Sequence, residues 1–113
     1  MNDNFAGDTL TTALEGGSGY WAMFRKVERA ADLTVISLEV KPEDERSTPW
    51  RRIDHAAITA AAQRILTDKS IKLHASYIGR IAADLRDEDS CMMDAIGADA
   101  VLQVAAFGDV IYG

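Results

Sequence analysis

The apolar residues of this chain change their spacing across a polar stretch with two prolines, KPEDERSTP at 41–49. From Tyr20 up to it they recur at every second position; in the long segment behind it they recur at every third or fourth. Period two belongs to strands, whose side chains alternate between faces, whereas a stripe at three- and four-residue intervals belongs to helices. A chain that keeps the two patterns apart folds as α+β rather than as alternating βα units. With 113 residues, 48% of them apolar, it is long enough for a single domain, 1–113, with its own core.

In the front half, Asp8 is placed to cap a short helix over residues 9–15, with Leu10, Ala13 and Leu14 on one side. Gly16 and Gly17 would end it in left-handed backbone. A strand from Tyr20 turns Tyr20, Ala22 and Phe24 one way and Trp21, Met23 and Val27 the other, so its start should be covered on both sides. A second strand over 33–40 directs Thr34, Ile36, Leu38 and Val40 inward and Ser37 and Glu39 outward. The ERAAD between them suits a hairpin.

Behind the loop, Ile53, Ala57, Ile58, Ala61, Ile65 and Leu66 form the stripe of a helix over 53–67. Ser76 caps a second helix with Tyr77, Ile78, Ile81 and Leu85 on its apolar face, and a third covers 91–106. After Phe107-Gly108-Asp109, the VIY segment reads as a last short strand. The expected fold is a small antiparallel sheet, two main strands plus a short C-terminal one, with an N-terminal helix and three packed helices. So small a sheet cannot cover three amphipathic helices on every side, which predicts a homo-oligomer.

A net charge of −6 argues against direct binding of a nucleic-acid duplex, because phosphate contacts need clustered Lys and Arg. No apolar run reaches the roughly 18–20 residues that span a bilayer, so no membrane partner is expected. MNDNFAGDTL lacks the features of a secretion signal, and the lone Cys91 fits a reducing cytoplasm. GGSG at 16–19 follows a helix and precedes a strand, the reverse of a phosphate-cradling loop, and reads as a helix stop. His55, His74 and Cys91 lack metal-ligand spacing, and no nucleophile elbow is present. Asp87, Glu88 and Asp89 read as a solvated turn. No catalytic residue, metal or cofactor is expected, so the chain reads as a non-enzyme.

The few basic residues are then informative. TPWRRIDH brings Trp50, Arg51 and Arg52 together at a helix start, where guanidinium groups could grip phosphate and an indole could stack on a base. Tyr77 and Arg80 share one helix face, with Arg86 near that helix's end. Tyr20 and Trp21 each offer a flat face with a polar tip. These seven, Trp50, Arg51, Arg52, Tyr77, Arg80, Tyr20 and Trp21, are the candidate contacts for a small anionic nucleotide. The plainer role for the arginines is ion pairing with Asp44, Glu45, Asp54 and Asp84. The stretch 84–99 holds six carboxylates and one arginine. It is either a helix start or a charged face for a basic groove on another protein, such as a host defence protein.

Two blocks, TTALEGGSGYW and DAIGADAVLQVAAFGDVIYG, resemble the two ends of a widespread group of small tailed-bacteriophage proteins. That group reads TTALEGG-x-x-YW early and, behind an aspartate, Q-x-A-x-F-G-[DE]-x-x-[YF]-G late. Asp99, Gln103, Ala105, Phe107, Gly108, Asp109, Tyr112 and Gly113 stand at matching positions. The blocks cover about a quarter of the chain, and WRRIDH lies outside them. The layout is also similar to the Thoeris anti-defence sponges of phages, non-enzymatic oligomers that trap a cyclic ADP-ribose isomer, or cyclic oligonucleotides, at subunit junctions. What the resemblance implies is a phage protein of the host cytoplasm that counters immunity by sequestering a cyclic nucleotide signal. The alternative is an acidic inhibitor of a CRISPR or restriction complex. None of the sponges' binding residues carries over to a position in this chain.

Overall fold

The computed structural model describes residues 4–87 and 95–112. The order is α1 (Asn4–Thr12), a π-helical turn (Ala13–Gly17), β1 (Ala22–Arg29), β2 (Val35–Pro42), β3 (Arg51–Asp54), α2 (His55–Thr67), α3 (Ala75–Asp87) and α4 (Ala95–Phe107). The three strands form one antiparallel sheet in the order β1-β2-β3. The fold is α+β, an N-terminal helix and three further helices around a small sheet.

α4 organises the core. It is apolar nearly all round, and Ala98, Val101, Leu102, Val104 and Ala106 are buried along its length. A helix without a polar face has to be enclosed, and α1, α2, α3, β3 and the π-helical turn all pack on it. α2 presents Ile58, Ala61, Ala62 and Ile65, close to the expected stripe, while Leu66 is exposed. Asp54 caps α2 by accepting the Ala57 N–H at 2.9 Å.

Several local expectations need correction. Asp8 lies inside α1 rather than capping it. Neither Gly16 nor Gly17 adopts left-handed backbone. Gly17 is instead required by space, since a Cβ there would lie 2.8 Å from the Ala95 carbonyl oxygen. Tyr20 and Trp21 belong to the turn before β1; Trp21 and Ala22 are buried, but Tyr20 and Met23 are exposed, so the strand's start is not covered on both sides.

In β2 the buried set is Val35, Ser37, Leu38, Val40 and Pro42, with Ile36 exposed. Inward positions switch parity between Ser37 and Leu38. α1 covers the first end of the strand, where Thr11 Oγ1 accepts the Val35 N–H at 3.1 Å and the His55 ring meets the Val35 carbonyl at 2.8 Å. The third strand is Arg51–Asp54, not the C-terminal VIY. Four residues, two of them arginines, leave almost no alternation to read. The VIY segment lies as an irregular strap on α4. Residues 91–94 of the third expected helix, with Cys91, lie outside the described residues. Among the described residues no helix is long and apolar enough to cross a membrane.

Candidate functional site

Sheet register decides which of the predicted basic residues meet. Arg25 pairs with Glu39, and Glu39 with Arg52, so these three side chains share the face turned away from the core. Arg25 Nε donates to Glu39 Oε1 at 2.6 Å, and Arg52 Nη1 to Asp54 Oδ2 at 3.0 Å. Met23 and Lys41, two residues along, lie on the same face. The Trp50 ring joins this group: the Arg25 guanidinium stands 4.3 Å from its centroid and the Lys41 ammonium 5.6 Å. The result is an indole with two cations against it, with Arg52 on the next strand, a surface able to stack a flat ring and neutralise an anion beside it.

Of the sequence candidates, Trp50 and Arg52 belong to this face. Arg51 pairs with Val40 and so points to the opposite side of the sheet, because neighbours on a strand cannot share a face. Arg25 and Lys41 were missed, since finding them requires the hairpin register. Tyr77 and Arg80 sit on α3, which packs on α2 and α4; the Tyr77 ring meets His74 edge-on at 6.4 Å.

Tyr20 and Trp21 lead elsewhere. Trp21 is buried, so it is not a ligand platform. Its Nε1 donates to Asp99 Oδ1 at 2.7 Å, and its ring stacks on Tyr112 with centroids 5.0 Å apart and planes 5° from parallel. Phe107 closes the same cluster at 5.3 Å from Trp21. Asp99 also accepts from Ser18 Oγ at 2.7 Å, the Tyr20 phenol at 2.5 Å and Gln103 Nε2 at 2.9 Å. Gln103 Oε1 in turn accepts the Ile111 and Tyr112 N–H groups, both at 2.7 Å, which holds the strap down. Desolvation of its hydroxyl, followed by the Asp99 carboxylate, pushes the Tyr20 phenol up to about 12. The network joins Tyr20 and Trp21 of the early sequence block to Asp99, Gln103, Phe107 and Tyr112 of the late one.

Beside this network lies a groove of about 480 Å³. Leu73, Ile96, Ala100 and Val110 form its walls with the Tyr20 and Tyr112 rings, and Asp99 and Gln103 its floor. Among the described residues its lining holds one carboxylate and no cation, which suits it poorly to a nucleotide. Of the acidic stretch 84–99, Asp84 and Asp99 are buried, and 88–94 lie outside the described residues. Among the described residues no cluster of His, Cys, Asp and Glu could hold a metal ion. No family model matches the chain, and neither curated proteins nor solved structures give a match.

Proposed function

We propose that this is a phage protein that acts by capture rather than catalysis, binding a small anion that carries a flat ring on the outer face of its sheet. The carrying observation is the Trp50 ring with the Arg25 and Lys41 cations against it and Arg52 on the same face of the sheet. The cyclic nucleotides of host immune signalling are the ligand class that the sequence resemblance implies. Stacking of a base on Trp50 and charge-assisted hydrogen bonds from the cations need no reacting group. Met23, exposed on the same face, supports pairing of two copies there, which would enclose the ligand at a subunit junction. The inhibitor reading, through 84–99, draws less support, because two of that stretch's carboxylates are buried.

The test is a titration with cyclic ADP-ribose and a panel of cyclic dinucleotides, followed by melting temperature, since a ligand held by the native state stabilises it by mass action. One member should raise Tm. Trp50→Ala should then weaken binding by about 5- to 150-fold, the range expected for a lost stacking contact of about 1–3 kcal/mol. Arg25→Ala should weaken it too, whereas Arg51→Ala should have little effect. No Tm change across the panel, or binding indifferent to Trp50, would overturn the reading.

A further inference from the structure

The groove beside Asp99 has a chemistry opposite to that of the Trp50 face. Asp99 is only 7% exposed, and the four hydrogen bonds it accepts among the described residues come from neutral donors. It makes no ion pair among the described residues. Neutral donors satisfy a carboxylate's lone pairs but leave its net charge in place, and a groove lined mostly by apolar side chains transmits that charge further than open water does. The Tyr20 phenol donates a hydrogen bond to Asp99, which makes its oxygen a better acceptor, and the residue is 59% exposed at the groove wall. Near Tyr112, desolvation and then the Glu45 and Asp44 carboxylates raise the phenol above its usual range, so negative potential continues past the rim. Exposed Ile96 and Ile111 continue the apolar surface.

An anion would be repelled here, and an uncharged apolar molecule would leave the field unused. A cation on an apolar stem fits every part: the stem along the walls, the charge against a tyrosine ring and in front of a carboxylate. We infer that the groove docks a basic segment of a protein partner, seating a lysine or arginine side chain against Tyr20 with its charge toward the Tyr20 oxygen and Asp99. The partner's neighbouring apolar residues rest on Ile96 and Ile111. This site is independent of the nucleotide reading.

The two indoles provide the readout, because Trp21 donates to Asp99 while Trp50 lies on the sheet. In ¹H–¹⁵N spectra of the whole protein, an acetylated, amidated peptide alternating leucine and lysine should shift the Trp21 indole signal and leave that of Trp50 in place. Affinity should fall about tenfold or more between about 20 and 200 mM salt, as screening grows. The same peptide with glutamate for lysine should give no shift. Ile96 is exposed, so both of its charged variants should fold; Ile96→Lys should weaken binding about tenfold or more, and Ile96→Glu should retain it. Tyr20→Phe should also weaken it.

Equal binding of the glutamate peptide, a shift confined to Trp50, or indifference to Ile96→Lys would overturn the proposal. So would free butylammonium binding as tightly as the peptide, since the groove would then be a small-molecule site. A nucleotide acting on Trp50 can fail or succeed without changing any of these results.

Discussion

Single residues here act through what touches them more than through their intrinsic preferences. Gly17 would place a Cβ 2.8 Å from the Ala95 oxygen and 3.4 Å from the Thr12 oxygen, both backbone atoms that cannot rotate aside. Gly17→Ala should therefore cost about 1–3 kcal/mol in urea unfolding. Gly16→Ala and Gly19→Ala, which meet nothing within 4 Å, should stay within about 0.5 kcal/mol of the parent. The sequence marks the pair as special but cannot tell conformational need from spatial need, because the Ala95 carbonyl arrives from 78 positions away.

Asp54 is the converse case, a cap whose role local pattern could have shown. The Ala57 N–H it accepts, and after that Arg52, hold its carboxyl below the ordinary 3.8. Asp54→Ala should cost about 1 kcal/mol. A lowered folded pKa contributes stability above the unfolded value, and that share is lost as pH falls through the lowered folded value. Asp54→Asn, which caps without titrating, should show a flatter decline below about pH 4.

At the level of elements, the decisive unit is α4 with the strap that Gln103 fastens to it. Gln103→Glu keeps the acceptor for the Ile111 and Tyr112 N–H groups but removes the donor 2.9 Å from Asp99 Oδ2 and sets two carboxylates together. One of them should then bind its proton more tightly when folded than when unfolded. The variant's deficit should be largest near neutral pH and shrink as pH falls toward about 4. Urea midpoints at pH 4 and pH 7, compared with the parent's, measure this.

The helices and the two strands of the hairpin were legible as elements from their periodicity, but not the inward face of β2, which switches parity between Ser37 and Leu38. β3 was not, since Arg51 and Arg52 conceal its alternation and only Ile53 is buried there. Nor was the strap, whose backbone hydrogen bonds run to a side chain rather than to a strand. The Trp50 face was half legible: Trp50 and Arg52 stand out in the sequence, whereas Arg25 and Lys41 reach the indole only through hairpin register.

At the scale of the molecule, one carboxylate ties the beginning of the described chain to its end. Ser18, Tyr20 and Trp21 all meet Asp99, about 80 positions away. Contacts this distant form only when the whole domain is assembled. Loss of the near-UV signal from the Trp21–Tyr112 stack should therefore coincide with loss of helix signal in denaturant. Separate midpoints would mean that the strap detaches on its own.

β1, eight residues long at one margin of the sheet, would ordinarily invite other molecules to add to it. Its regular pairing is interrupted where Lys26 and Val27 together face Leu38, with Lys26 forced to a φ of 51°. A neighbouring backbone cannot follow that kink without repeating it, and the charges of Arg25, Lys26 and Arg29 line the same margin. Concentrated solutions should on this account stay clear of cross-β fibrils, with the strand guarded by its own irregularity.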